Sequence, residues 1–328
     1  MRETPDPVIL RPIAADDIPA CADVFYDSVE GLYTRLNQPG PPRDPSNLSR
    51  LIRHLLEHDA ERAWLAETVY ATGDRTPAPI VGFGAATLRE QSWYLALMFV
   101  HPKAQSGGIG RRLLLRTFPR GPLDPPADHA PGARRGSGTM STCVDSIQPV
   151  STGLYAGYGI VPRVPLYTAI GRPSRGSFPA LPRDVVETPA DALGQEQAEA
   201  AIASIDRATL GYTRAVDHAF WRHEGRRAVV LRRSGSGEAL GYGYTQGSGR
   251  IGPVALLDET LTAPFLGSLI DGMNPPGAYL ALVPGCNDRG IVALLRAGFR
   301  FEGFPGIVSS TRPVAGLERY LAGSFALL

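Results

Sequence analysis

Apolar residues recur at two different spacings along the chain. Val8-Ile9-Leu10-Arg11-Pro12-Ile13 crowds them into one short run, the mark of a strand. From Ile18 to Leu36 they return at Ile18, Cys21, Ala22, Val24, Phe25, Val29 and Leu32, which lines one face of a helix. Asp16 and Asp17 stand at its start, where the helix dipole favours acids, and the Pro-rich stretch 39–45 ends it. A second helix is predicted over Leu48–Asp59. Strands are predicted at 63–69, 80–88 and 93–100, with turn residues between them that suit an antiparallel meander. A Gly-rich turn at 106–110 leads into a helix over 109–118. Residues 119–138, rich in Pro, Gly and Arg, are predicted to form a mobile surface loop. A strand at 139–144, a helix at 149–157 and a strand at 161–170 complete this half.

The pattern then starts again. Leu240-Gly241-Tyr242-Gly243 resembles Val81-Gly82-Phe83-Gly84, and Leu294-Leu295-Arg296-Ala297-Gly298-Phe299 resembles Tyr155-Ala156-Gly157-Tyr158-Gly159-Ile160. The two offsets differ by the length of the 119–138 insert, so one deletion in the second copy accounts for both. Two copies are too few for a solenoid. The expected organisation is a domain at 1–170, a proline-bearing linker at 171–187 and a second domain at 188–328.

Composition narrows the function. The 328 residues are 43% hydrophobic and 20% charged, ordinary globular values. With 33 basic against 32 acidic residues, the chain lacks the basic excess of a general nucleic-acid binder. No apolar run approaches the ~20 residues that span a bilayer, and Met1 to Pro7 contains no signal core. Cys21, Cys143 and Cys286 lie far apart, without metal-ligand spacing, which suits a reduced compartment. The expectation is a cytoplasmic protein, monomer or homodimer, with no metal, nucleic-acid or membrane partner. Cys143, Trp64 and Trp93 read as core residues.

The chemistry concentrates in Phe99-Val100-His101-Pro102-Lys103-Ala104-Gln105-Ser106-Gly107-Gly108-Ile109-Gly110-Arg111-Arg112. Here a strand, a turn and a helix start follow in direct succession. Glycines at 107, 108 and 110 let the backbone turn tightly and approach a ligand. Free amides at a helix start, with the dipole behind them, form an anion site suited to a pyrophosphate. Arg111 and Arg112 add positive charge. A Walker A loop would need Gly-Lys-Ser/Thr, which is missing, and a Rossmann turn would open a βαβ unit rather than follow a meander.

The pattern Val-x-Pro-x-x-Gln-x-x-Gly-x-Gly, filled by Val100, Pro102, Gln105, Gly108 and Gly110, resembles the coenzyme A motif of the GCN5-related N-acetyltransferase (GNAT) family. Gln148-x-x-Ser151-x-x-Leu154-Tyr155-x-x-x-Gly159 is similar to the family's late helix. The resemblance implies an α/β (α+β) fold of two tandem GNAT-like domains. Each would be a mixed, mostly antiparallel sheet flanked by helices and splayed between its fourth and fifth strands. It implies acetyl-coenzyme A as acyl donor, held by Phe99, Val100, Gln105, Ser106, Gly107, Gly108, Ile109, Gly110, Arg111 and Ser151. Tyr155 would protonate the departing thiolate, and a primary amine of a small molecule would be the acceptor. A protein or peptide amine is the alternative acceptor, and a non-catalytic acyl-coenzyme A sensor the alternative role.

The chain departs from the family at the base. Many members carry a Glu six residues before the motif's Val; here that position is Tyr94. Asp145 and Glu90 are the candidate replacements. The second half departs further: Leu257-Asp258-Glu259-Thr260 has no Gly-rich turn and places acids where a pyrophosphate would sit, and Leu294 replaces the tyrosine. It resembles a degenerate GNAT-like domain that shapes the substrate site. The stretch Asp206–Trp221 is predicted as a helix pair whose polar face either lines a cleft or meets solvent.

Overall fold

The computed structural model describes residues 7–40, 42–69, 78–119 and 138–328. All of the predicted mobile loop except its two end residues therefore lies outside the described residues. Two compact units divide the chain, residues 1–140 and 141–328.

The first unit contains strand β1 (Val8–Pro12), helices α1 (Ile18–Arg35) and α2 (Pro45–Asp59), strands β2 (Ala63–Thr68), β3 (Ile80–Arg89) and β4 (Ser92–Val100), and helix α3 (Ile109–Thr117). The strands pair in sequence order, all antiparallel, as the meander predicts. Ile109 and Leu113 of α3 pack with Ala66, Val81, Met98 and Val100, so one helix face covers the ends of β2, β3 and β4. Asp44 caps α2 by accepting from the Ser46 amide at 3.0 Å. At the other end of α2, buried Asp59 accepts from the Leu88 amide at 2.9 Å and from Arg89 Nη1 at 2.8 Å, which ties α2 to β3. One irregularity matters for chemistry. Ala85 and Ala86 of β3 face Leu97 and Leu95, so Ala96 is the extra residue of a β-bulge in β4.

The second unit takes β5 (Thr139–Asp145), whose first two residues belong to the first unit, then α4 (Pro149–Ala156) and β6 (Val161–Gly171). It continues with β7 (Val185–Pro189), α5 (Ala190–Leu193), α6 (Gln195–Thr209), α7 (Ala215–His223), β8 (Arg227–Arg233), β9 (Ala239–Thr245) and β10 (Arg250–Leu256). After these come α8 (Thr262–Asp271), β11 (Tyr279–Pro284), α9 (Asp288–Arg296), β12 (Arg300–Phe301), β13 (Gly306–Ser310) and β14 (Tyr320–Leu321). From β7 to α9 the element order copies that from β1 to α4, with one short extra helix, so the duplication read from short sequence matches extends through the fold. Strands run in space as β5-β13-β6-β11-β10-β9-β8-β7, with β12 on β6 and β14 on β10. The core under β8 to β11 joins Val229, Leu231, Ile251, Val254 and Val283 to Phe265, Leu266 and Leu269 of α8 and Leu294 of α9.

The two compact units meet at 140/141, whereas the sequence expectation places a linker at 171–187. Strand β13, from the end of the second repeat, lies between β5 and β6 of the first, pairing Val308 with Cys143 on one side and Val164 on the other. Residues 141–171 are thereby held by the second repeat's chain, and the compact unit starts at Ser141. No helix among the described residues is long and apolar enough to cross a membrane.

Val308 is fully buried between those two neighbours. Val308→Ala is expected to lower the stability of the second unit by about 2 kcal/mol in guanidinium titration. An unchanged midpoint would contradict the inserted strand.

Candidate active site

The end of β4 is built to present backbone. The His101 amide donates to the Val81 carbonyl at 2.9 Å, which fixes the phase of the β3–β4 ladder. Antiparallel pairs alternate between bonded and non-bonded. Phe99, opposite Phe83, is therefore bonded within the ladder, while Met98 and Val100 turn their amides away from β3. Of the two residues expected to meet a pantetheine, only Val100 offers an outward N–H. Phe99 supplies packing instead, stacking on Phe83 at 5.7 Å and meeting Phe25 edge-on at 4.6 Å. The Val100 carbonyl is already satisfied: Ser28 Oγ and Gln105 Nε2 each donate to it at 3.0 Å. Gln105 is thus a brace for the strand end rather than a side-chain ligand.

The turn that follows has two left-handed residues, Ser106 at φ 71° and Gly108 at φ 75°. A non-glycine residue in that region stores strain, and such residues cluster at functional sites. Gly108 is the N-cap of α3, and no side chain caps the helix there. A Cβ built on Gly108 would meet no atom within 4 Å. The glycine therefore serves the turn and leaves space in front of the helix amides, rather than accommodating a neighbouring side chain. The first helical bond joins the Arg112 amide to the Gly108 carbonyl, so the amides before it have no acceptor within the helix. Gly107 is exposed and Gly110 half-buried. Ile109 contributes its backbone only, because its side chain is core. Arg111 is exposed on the first turn. Arg112 is committed elsewhere, to the Val8 carbonyl at 3.0 Å. His101 is structural too: its Nδ1 accepts from the Lys103 amide and its Nε2 lies 3.4 Å from Asp27. These features fit a pyrophosphate-bearing ligand.

Glu90 occupies the turn between β3 and β4, at φ 53°. It lies six positions before the Ala96 bulge, about 20 Å of strand rise, and farther still from the glycine turn. That placement sets it apart from the bulge and the glycine turn. Tyr94, where many family members carry a Glu, is buried in β4.

The second unit holds the remaining candidates. Tyr155 is buried on α4, and Ser151 stands one turn earlier on the same helix. Burial pushes the phenol above its ordinary value, so it stays protonated throughout the neutral range. Asp145 ends β5 opposite Gly306. Its side chain reaches solvent, yet surrounding protein desolvates the carboxyl and raises it above the usual range. A group open on one side and enclosed on the other shows both properties. Burial also pushes up the Cys143 thiol, which suits a packed, inert cysteine.

In the second repeat the corresponding turn is consumed by its own acid. Asp258 accepts from the Thr260 amide at 2.8 Å and from its hydroxyl at 2.7 Å, so a carboxylate already serves that turn. The stretch 206–221 forms the predicted helix pair, but neither expected role holds. Asp206, Arg214, Asp217, His218 and Trp221 are buried. Asp206 accepts from Tyr242 at 2.5 Å and Arg214 at 3.2 Å, and lies 2.8 Å from His218 Nε2. His218 Nδ1 lies 2.9 Å from the Tyr244 hydroxyl. This is a core network. Among the described residues, no group of three or more His, Cys, Asp or Glu could hold a metal ion.

Residues 29–118 match the model of the acetyltransferase (GNAT) family. The fold is similar to that of a putative acetyltransferase from Pyrococcus horikoshii, at 18% identity and TM-score 0.68, over 98% of this chain and 96% of that one. It is similar to a GCN5-related N-acetyltransferase from Sphaerobacter thermophilus, at 15% identity and TM-score 0.59, over 96% and 99%. A tandem GNAT protein from the clavulanic acid biosynthesis pathway also shares it, at 14% identity and TM-score 0.56, over 94% and 99%. No curated protein sequence matches.

The buried network carries a pH signature. Desolvation, reinforced by Arg214, outweighs the attraction of Asp206 and holds His218 below its ordinary value of 6.5. Unfolding restores that value, so below it the unfolded chain takes the extra proton and stability falls with pH. Asp206 is itself held below 3.8 and stays ionised through this window. The melting temperature should drop between pH 7 and pH ~5, and His218→Gln should flatten the drop. A melting temperature that rises across that range would contradict a neutral buried imidazole.

Proposed function

We propose, from the match of residues 29–118 to the GNAT acetyltransferase family, that the chain transfers acetyl from acetyl-coenzyme A to a primary amine of a small molecule. The observation that carries this reading is the uncapped, left-handed glycine turn of 106–110 beside the outward amide of Val100. The turn's amides and Arg111 hold the pyrophosphate. The Val100 amide, kept in place by Ser28 and Gln105 behind it, takes the pantetheine. The bulge at Ala96 re-aims the strand where the thioester lies, and a backbone N–H there polarises the carbonyl.

Transfer is direct. The amine nitrogen bonds to the carbonyl carbon as the carbon–sulfur bond breaks. Tyr155 gives its proton to the sulfur. Asp145, the accessible carboxylate with a raised value, takes the surplus proton of the amine. A small acceptor suits a duplicated chain whose second repeat has lost its anion turn, since that half is free to specialise in enclosing the acceptor.

Thiol release from acetyl-coenzyme A across an amine library tests the activity. Tyr155→Phe is expected to lose at least ~10-fold in turnover while keeping donor affinity. Gly108→Val finds open space for its side chain but forces a β-branched residue into φ 75°, so the turn is expected to shift and donor binding to be lost, with circular dichroism checking that the rest of the fold stays. Unchanged turnover in the first variant would remove the acid, and retained binding in the second would remove the turn.

A further inference from the structure

The second repeat has the same strand edge as the first, and something already lies on it. Its fourth and fifth strands, β10 and β11, run parallel and pair only at Arg250–Leu280 and Ile251–Ala281. Beyond that point they part. Into the opening runs the segment Arg319–Gly323. Val254 faces Leu321 and Ala255 faces Tyr320 on the β10 side. On the β11 side the Ala322 amide donates to the Leu282 carbonyl at 2.9 Å.

The segment is clasped along its whole length. Arg319 Nη1 donates at 2.9 Å to the carbonyl of Leu257, the residue that follows β10. Asn287 Nδ2 donates to the Tyr320 carbonyl at 3.0 Å, while its Oδ1 accepts from the Gly290 amide and caps α9. Arg226 Nη1 and Arg250 Nε both donate to the Gly323 carbonyl, at 3.0 and 3.1 Å. Tyr320, Leu321 and Ala322 are fully buried. At Gly252, with φ 123°, a Cβ would stand 2.5 Å from the Ala322 carbonyl oxygen, so the bare glycine is what admits the segment.

We propose that Arg319–Gly323 is a built-in occupant of the second repeat's coenzyme groove, taking the place against β10 that the donor's pantetheine takes against β4. The proposal rests on the reading of β4 given above. The chain therefore carries one donor site, in the first repeat. The second repeat is closed by its own backbone as well as by Asp258. Asn287, which stands where the first repeat has Gln148, serves here as a clasp.

Hydrogen exchange and native mass spectrometry on the full chain, with and without coenzyme A, test this. The Leu321 and Ala322 amides should exchange at least ~100-fold more slowly than exposed backbone such as 247–248, and coenzyme should not change them. One equivalent of coenzyme A should bind. Asn287→Asp keeps the cap acceptor and loses the donor to Tyr320. It should speed exchange at 321–322 by about tenfold, the loss of one hydrogen bond, while α9 stays protected and coenzyme affinity is unchanged. Loop-like exchange at 320–322, release of that segment by coenzyme, or a second bound equivalent would overturn the proposal. Unaltered exchange in the Asn287 variant would overturn the clasp. Zero equivalents would instead refute the donor site of the first repeat, and exchange at 321–322 would still decide whether the groove is filled.

Discussion

The hydrogen-bonding edge of a repeat's fourth strand is the constraint around which each half of this protein is arranged. Backbone N–H groups at such an edge need an acceptor. In the first repeat Val100 has its carbonyl taken by Ser28 and Gln105 and its amide directed outward. In the second, β10 has its edge covered by β14. The same supersecondary unit thus has an outward amide at Val100 in one copy and an edge covered by β14 in the other.

The turns after those strands follow the same division. Gly108 gives α3 a left-handed entry with no capping side chain, which leaves its amides to an anion. Asp258 provides the carboxylate within the chain, and the turn after β10 is satisfied without a ligand. A fixed negative charge there also repels a pyrophosphate. The second repeat thus combines a turn without the glycines, an acid at that turn and a buried segment at 320–322. Core lies beside that segment: Arg214 stands 5.4 Å from the Tyr320 ring and joins the Asp206–His218–Tyr244 network.

Much of this was legible in the sequence, and the illegible parts share a cause. Periodicity and turn residues placed the strands and helices of the first half within a few residues, because those signals are local. The motif from Val100 to Gly110 was legible for the same reason: strand, turn and helix start are contiguous. The position of β13 between β5 and β6 was not, since nothing near Val308 announces that it will pair with Cys143 and Val164. Nor was the division of the compact units at 140/141. Charged residues at 206, 214 and 217 suggested a cleft or surface, but pairing and hydrogen bonding let them be buried together. Gln105 and Arg112 look like ligands by spacing, yet their side chains end on the carbonyls of Val100 and Val8. Spacing reports which backbone turn forms; it does not report which way a long side chain goes.

The most direct measurement is an amide-resolved titration of the isotopically labelled protein with coenzyme A. The amides of Val100 and of residues 106–110 should shift together and saturate with one affinity, while those of 257–260 and 320–322 stay still. Shifts at the second set, or silence at the first, would contradict an account in which one repeat offers its strand edge to the donor and the other has filled it.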